Sequence, residues 1–405
     1  MLKADVQADL TNDEALIRRD WRFFTALTFF FMVGFAIYSG VFQNFLRDVL
    51  KADELQLGTL ESLREIPGLL AALMAGIVVA LAESRVAAIG LALGAIGIGL
   101  SGATSSFTTL VFITVFWSIG FHLYSTVAPA ITLTLAKGRE GGRHLGRMSS
   151  VSAIATIVGL GVATLSAPIL SDTLTPRVKY NVYFGAAGFI ILAAAYCCLK
   201  LSHHAAGGQR QRIIFRREYC LYYLLIFLEG CRRQIFSIFA SFALILIYKV
   251  PLEHMLILQL INAILIAVTA PWMGKVIDRF GEKSPLTWYA VGLIVVFLGY
   301  AIIQNKWALY GLFLIDNILF TFGIGFNTYL HRIVRPGELT PCLAMGTTMN
   351  HIAAVTVPVG GAYLWHATNN YQLPFWVGVV IAAVSLVATR WLPADPAEPR
   401  ILAQS

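Results

Sequence analysis

Three ionisable residues, Glu229, Arg232 and Arg233, lie in the middle of an apolar stretch. The stretch runs from about Tyr219 to Tyr248, long enough for the ~20 helical residues that cross a bilayer core. An arginine at such a depth costs at least ~2.5 kcal/mol on insertion scales, so it must face protein, water or a ligand. Glu229 precedes the arginines by three and four residues, the spacing of ion pairs along a helix. Either the three side chains neutralise one another, or they form a site, which we favour. Paired arginines suit bidentate recognition of a carboxylate or phosphate.

The composition of the whole chain is that of a membrane protein. Of the 405 residues, 58% are hydrophobic and 13% are charged, with a mean hydropathy of +0.72. Soluble domains carry about 25% charged residues, which excludes a soluble globule. The net charge of +8 does not indicate nucleic acid, because basic residues of membrane proteins gather in cytoplasmic loops.

Apolar segments of spanning length occur twelve times along the chain. We therefore predict an all-α polytopic membrane protein with twelve transmembrane helices, arranged as two six-helix pseudo-repeats around a central cavity. The predicted parts are a cytoplasmic N-terminal tail (1–21), an N-terminal six-helix bundle (22–200), a basic cytoplasmic linker (201–218), a C-terminal six-helix bundle (219–392) and a cytoplasmic C-terminal tail (393–405). The predicted spans are roughly 22–47, 57–81, 86–103, 107–135, 148–170, 180–200, 219–248, 255–274, 285–303, 307–331, 341–366 and 372–392.

Loop charge predicts the orientation. Counting Lys and Arg against Asp and Glu, the loops on one side sum to +9 and those on the other side to +1. Positive loops stay in the cytoplasm, so both termini should be cytoplasmic. The N-terminal segment has no apolar core or cleavage site of a signal peptide. We expect a multi-pass protein of a bacterial inner membrane.

A recognisable loop motif follows the eighth predicted span. The residues Gly274-Lys275-Val276-Ile277-Asp278-Arg279-Phe280-Gly281-Glu282-Lys283 fit the pattern GxxxDRxGx(K/R), and by this motif the sequence resembles the major facilitator superfamily of secondary transporters. The equivalent loop of the first half, between the second and third predicted spans, does not keep this motif, because Ala80 stands at the position of the acid. The resemblance implies alternating access by rocking of two halves around a midplane site. It also implies a cytoplasmic gate at Gly274, Asp278 and Arg279, and a monomer.

Further polar residues lie near the centres of predicted spans. Glu61, Arg64 and Glu65 share one face of the second helix, at positions i, i+3 and i+4. For the histidines and Asn350, hydrogen bonding between helices is an alternative role. The full set of predicted substrate-binding residues is Arg232, Arg233, Glu229, Arg64, Glu61, His122, Asn327, Asp316, Asn350 and His351.

Charge arithmetic favours proton coupling. The three intramembrane arginines and four intramembrane carboxylates leave a net charge of −1. Arginine stays charged in proteins, so the adjustable charge belongs to a carboxylate or a histidine. The predicted proton-coupling residues are Glu229 and Glu61 first, with Glu65 and Asp316 behind them. We predict a proton-coupled secondary transporter for a small organic anion or amphiphilic metabolite. Its direction is open, and export is favoured because exporters are common in the family that the sequence resembles.

Two alternatives stay open. A transporter of a divalent metal or metal chelate could use His122, His351, Asp316 and Glu61, although none of these share a helix at metal-ligand spacing, and the nearby arginines would repel a bare cation. A membrane sensor that transports nothing is the alternative from another class. No GxSxG, HExxH or Walker motif occurs, so we predict neither an enzyme nor a cofactor. The expected partners are a small-molecule substrate, protons and the lipid bilayer, without nucleic acid.

Overall fold

Helices make up the fold. The computed structural model describes residues 2–70, 82–136, 141–202, 215–335 and 337–393, and these residues form no β-strand. Long apolar runs become helices because only a helix satisfies its own backbone polar groups away from water. The helices are α1 (Leu2–Phe45), α2 (Glu54–Leu69), α3 (Glu83–Ser101), α4 (Phe107–Leu135), α5 (Gly141–Thr173), α6 (Pro176–Leu199), α7 (Cys220–Gln234), α8 (Ser241–Leu246), α9 (Leu252–Phe280), α10 (Lys283–Ile302), α11 (Lys306–Phe320), α12 (Ile324–Ile333), α13 (Leu339–Thr368) and α14 (Leu373–Thr389).

Nine helices within the described ranges are long and apolar enough to cross a membrane. This confirms an integral, multi-pass, all-helical membrane protein. The other three predicted spans are helical in their described residues, but these helices do not meet the same criterion. The helix α14 has 17 residues, α2 ends beside residues 71–81, which lie outside the described part, and the span 219–248 is divided. For these three, crossing of the membrane stays a prediction.

The span that carries Arg232 and Arg233 is interrupted by a widened turn. After Gln234 the backbone forms a π-helix, Ile235–Ala240, and only then continues as α8. The Ser237 hydroxyl donates to the carbonyl oxygen of Arg233 at 2.8 Å. Such π-helical turns occur frequently at functional sites. The two arginines therefore end an α-helix immediately before an irregular turn.

Contacts divide the chain into two units. One contains residues 1–42 and 70–209, and the other contains residues 43–69 and 210–405. By this division α2 groups with the helices that follow the linker. The predicted six-helix bundles 22–200 and 219–392 stay a prediction, as does the linker, of which residues 203–214 lie outside the described part.

Small residues bring helices together in the first unit. A Cβ on Gly90 of α3 would lie 2.6 Å from the carbonyl oxygen of Gly120 on α4. A Cβ on Gly188 of α6 would lie equally close to the carbonyl oxygen of Ala95 on α3. Inside a bilayer, helices associate by close packing, because lipid tails are as apolar as the helices themselves. The helix α3 thus packs with backbone-to-backbone contact on both neighbours.

In the second unit, α2 packs directly on α13. A Cβ on Gly58 would lie 2.3 Å from the Cβ of Ala362 and 2.4 Å from the carbonyl oxygen of Pro358. Beside Pro358, the backbone N–H of Val359 donates across the contact to the Ser62 hydroxyl at 3.0 Å. Both helices therefore meet with no space for a side chain at Gly58.

An ionic network joins the start of α7 to the loop before α13. Arg216 Nη2 contacts Glu338 Oε1 at 2.7 Å, and the Tyr219 hydroxyl donates to Glu338 Oε2 at the same distance. The hydrogen bond from Tyr219, together with the Arg216 guanidinium, holds the pKa of Glu338 below its ordinary value. Glu338 is therefore ionised at neutral pH, and the network would be lost only in acid, as pH falls through that lowered pKa.

Substituting Gly58 tests the packing of α2 on α13. We expect Gly58→Ala to lower the free energy of unfolding by about 1–3 kcal/mol, because the added methyl group overpacks the contact. The melting temperature of purified protein in detergent measures this. Gly360→Ala, on α13 itself, is the matched control, because a Cβ there meets nothing within 4 Å. Equal melting temperatures for the two variants would contradict the close contact.

Candidate functional site

Arg232 lies at the centre of a buried ionic cluster in the second unit. Its side chain is only 2% exposed. Nη2 donates to Glu229 Oε1 at 2.8 Å, and Nε donates to Glu229 Oε2 at 3.2 Å. Nη1 donates to Asp316 Oδ2 at 2.9 Å. The structure thus brings together three predicted site residues, two from α7 and one from α11.

A tyrosine completes this cluster. The hydroxyl of Tyr289, on α10, accepts a hydrogen bond from Arg232 Nε at 2.8 Å and donates one to Glu229 Oε2. The guanidinium of Arg232 also lies 5.6 Å from the centre of the Tyr289 ring and 5.5 Å from that of Phe320. Such cation–π contacts are worth more when the cation is desolvated. The cluster therefore ties α7, α10 and α11 together around one buried cation.

Arg233 has a different environment. It is exposed, and it forms no ion pair with any carboxylate among the described residues. Its guanidinium lies 5.2 Å from the centre of the Phe320 ring. The charges of Glu229 and Glu65 act on it electrostatically without direct contact. Arg233 is therefore an accessible cation, whereas Arg232 already has two carboxylates.

A second cluster joins α2 to α13. Arg64 Nη2 contacts Glu61 Oε2 at 2.6 Å and Glu65 Oε1 at 3.1 Å. Glu65 Oε2 in turn lies 3.2 Å from Nδ1 of His351. Glu61 is buried, whereas the side chains of Glu65 and His351 are each 16% exposed. The shared helix face predicted for Glu61, Arg64 and Glu65 thus carries a chain of ionic contacts that ends on His351.

Gly230 lets α7 approach α13 between these clusters. A Cβ on Gly230 would lie 3.0 Å from the Cβ of Ala353 and 3.3 Å from the Cα of Asn350. The Asn350 side chain is partly exposed and has no hydrogen-bond partner in the described ranges. Asn350 therefore contributes its backbone to helix packing, and its amide is left accessible.

The remaining predicted substrate-binding residues lie elsewhere. Asn327 is exposed on α12. His122 belongs to the first unit, where it is buried on α4, its ring at a right angle to that of Phe121. Its carbonyl oxygen accepts a hydrogen bond from the Thr126 hydroxyl at 2.7 Å. Their roles in binding stay predictions.

The predicted gate residues Gly274, Asp278 and Arg279 occupy the last two turns of α9. Asp278 and Arg279 are exposed, and within the described ranges they form no ion pair. The ion pair at this end of α9 instead joins Glu282, the acid of the same motif, to Arg332 on α12. The sequence singled out Asp278 and missed Glu282, whose partner lies 50 residues further along the chain.

No metal centre is evident in the part of the chain that the structure describes, where no three His, Cys, Asp or Glu side chains converge.

Besides Glu282, the residues of the site that sequence reasoning missed are aromatic. Tyr289 and Phe320 lie in predicted spans rich in aromatic residues, and nothing in their spacing marks them. Only their contacts with the arginines reveal them.

One comparison with known proteins identifies a family for this sequence. The sequence model of the Major Facilitator Superfamily matches residues 24–340. Among curated proteins, no sequence matches. Solved structures of similar fold include a mutant of the nucleoside transporter NupG, with a TM-score of 0.75 and 16% identity, over 91% of this chain and 98% of that one.

Two further structures are similar over nearly their full length. The D-xylose-proton symporter has a TM-score of 0.73 and 13% identity, over 95% of this chain and 100% of that one. A bacterial homologue of the iron transporter ferroportin, in an inward-facing state, has a TM-score of 0.72 and 13% identity, over 91% of this chain and 98% of that one. At such identities the likeness establishes the fold and not the substrate.

The environments of the two arginines predict different costs of substitution. Arg232→Gln leaves Glu229 and Asp316 buried without their cation, so we expect a loss of about 3–5 kcal/mol in the free energy of unfolding. Arg233→Gln removes an exposed cation and should cost less than about 0.5 kcal/mol. Thermal unfolding of both variants in the same detergent measures the difference. A similar loss of stability in both would contradict the assignment of Arg232 as the buried, structural cation.

Proposed function

This chain belongs to the Major Facilitator Superfamily, and the solved structures of similar fold are those of transporters and not of enzymes; we propose that it is a proton-coupled secondary transporter of a small organic anion. It works by alternating access, with both termini in the cytoplasm as the loop charges indicate. The observation that carries the proposal is the accessible guanidinium of Arg233, which forms no ion pair with any described carboxylate and lies beside the buried, already compensated Arg232.

Arg233 supplies what recognition of an anion needs. A guanidinium presents two parallel N–H donors that match a carboxylate or a phosphate. Because no carboxylate of the described residues occupies these donors, an incoming anion need not displace one. The neighbouring cation Arg232 contributes little extra attraction, since Glu229 and Asp316 surround it. The anion is therefore bound by one arginine and not by the pair.

Phe320 favours a substrate with an apolar part. Its ring is partly exposed and lies beside the guanidinium of Arg233. A bound anion with a ring or short aliphatic group would place its charge on Arg233 and its apolar part near this aromatic surface. This arrangement supports an amphiphilic organic anion over an inorganic one.

Proton coupling is supported by the excess of carboxylates in both clusters. Arg232 faces two carboxylates, and so does Arg64. Each cluster therefore carries a net charge of −1 when its carboxylates are ionised and His351 is neutral, and one proton would neutralise it. The similar D-xylose-proton symporter is a proton-coupled transporter by its name, which makes such coupling a reasonable expectation for this fold.

Counterflow in proteoliposomes tests the proposal. The panel consists of radiolabelled benzoate, succinate, lactate and phenyl phosphate, which differ in charge, size and apolar surface. We expect wild-type protein to exchange at least one of them. Arg233→Gln should reduce that exchange roughly tenfold to a hundredfold, the value of a hydrogen bond to a charged group. Arg233→Lys should retain part of it, because an ammonium keeps the charge without the two-donor geometry.

Arg390→Gln serves as the matched control, because Arg390 is an exposed arginine at the end of α14. It should exchange anions at the wild-type rate. Wild-type rates in Arg233→Gln, with a substrate from the panel established, would refute the role of Arg233. Failure of the wild-type protein to exchange any of the four anions would count against an anionic substrate.

A further inference from the structure

Asp316 has an unsatisfied oxygen. The residue is 1% exposed, and its Oδ1 is buried without a hydrogen-bond partner in the described part of the chain. Its Oδ2 accepts a single hydrogen bond, from Arg232 Nη1. Glu229, in contrast, accepts hydrogen bonds on both oxygens from Arg232 and a further one from Tyr289. The two carboxylates that share one arginine are therefore unequally satisfied.

The groups that face Asp316 do not supply the missing donor. From α7 it faces Arg232, which binds Glu229 and the Oδ2 atom of Asp316, and Glu229 itself. From α10 it faces Tyr289, whose hydroxyl donates to Glu229, and Tyr300, whose hydroxyl donates to the carbonyl oxygen of Leu309. On α9, His254 contacts α11 at Tyr310 instead, with its Nδ1 3.2 Å from the hydroxyl.

An ionised Asp316 is therefore costly in two ways. A buried acceptor without a partner costs about 1–3 kcal/mol, and more when it carries a charge. The cluster of Arg232, Glu229 and Asp316 would also keep a net charge of −1 in a buried place. A proton on Oδ1 removes both costs, because it neutralises the cluster and leaves the bond between Oδ2 and Arg232 intact.

We propose that Asp316 is the residue that binds the coupling proton, on its Oδ1 atom. The inference rests on the proposed function and specifies which carboxylate of the site carries out the coupling. The sequence had placed Glu229 and Glu61 first. Glu229 instead holds Arg232 in place, with both of its oxygens occupied. The proton comes from water and returns to water, and no other bond changes.

Protonation of Asp316 changes the charge next to Arg233. With Asp316 ionised, the charges of Arg232, Arg233, Glu229 and Asp316 sum to zero; with Asp316 protonated they sum to +1. An anion at Arg233 is therefore bound more tightly when Asp316 holds its proton, and by linkage the anion promotes protonation to the same extent. Proton and anion bind together and move in the same direction. An inward proton gradient would then drive uptake, the opposite of the direction that the sequence favoured.

Infrared difference spectroscopy of the protein in lipid vesicles tests the proton site without any substrate. Wild-type protein should show the C=O stretch of a neutral carboxyl group, which appears as pH is lowered. Asp316→Asn should lack that band, whereas Glu229→Gln should keep it. Asp316→Glu should restore a titrating band and guards against misfolding. Asp172→Asn, an exposed aspartate at the end of α5, is the matched control and should resemble wild type.

Transport of the labelled anions in the same vesicles tests the coupling. In wild type, lowering external pH should increase the ratio of accumulation to exchange by about tenfold, a factor within the range that typical coupling free energies produce. In Asp316→Asn that ratio should no longer depend on pH. A titrating band that persists in Asp316→Asn and disappears in Glu229→Gln would overturn the assignment. A band assigned to Asp316, in a wild-type protein that exchanges none of the anions, would refute the proposed function instead.

Discussion

The structure of the second unit depends on one desolvated cation, Arg232, placed between two carboxylates. A buried arginine must be compensated by charge and by hydrogen bonds, since each uncompensated ion costs several kcal/mol. Glu229 can compensate it from the same helix, but Asp316 and Tyr289 come from α11 and α10. The requirement to compensate one charge therefore fixes the relative positions of three helices.

This requirement separates the tasks of two adjacent residues. Arg232 faces inward, where Glu229 and Asp316 occupy its donors. Arg233, the next residue, points in another direction and stays accessible. The contacts of Arg232 hold the backbone beside Arg233 in position, and such preorganisation lowers the entropic cost of binding. The same cluster contains Asp316, the carboxylate with an unsatisfied oxygen. The contacts that support the site therefore also include the group proposed to change its charge.

Hydropathy and the motif around Asp278 were sufficient to predict a helical membrane protein of the Major Facilitator Superfamily, because apolar length and loop signals are local properties of a sequence. The pairing of Glu229 with Arg232 also follows from spacing along one helix. The contacts of Arg232 with Asp316 and Tyr289 could not be predicted, since residues far apart in the sequence show no regular spacing that marks their contact. For the same reason the sequence treated Arg232 and Arg233 as equivalent, whereas packing makes them opposite in exposure.

The π-helix Ile235–Ala240 has a consequence for how α7 and α8 are oriented. An α-helix turns by about 100° per residue, so one extra residue in a widened turn rotates all later side chains by about that angle. The residues of α8 from Phe242 to Ile245 are all buried, so this helix is enclosed on every side and tolerates little rotation. The Arg232 cluster sets the azimuth of Arg233 on α7, and the length of the turn sets the azimuth of α8 relative to it. A change of one residue in this turn would therefore rotate α8 against its neighbours by about 100°, while the cluster keeps the arginines of α7 in place.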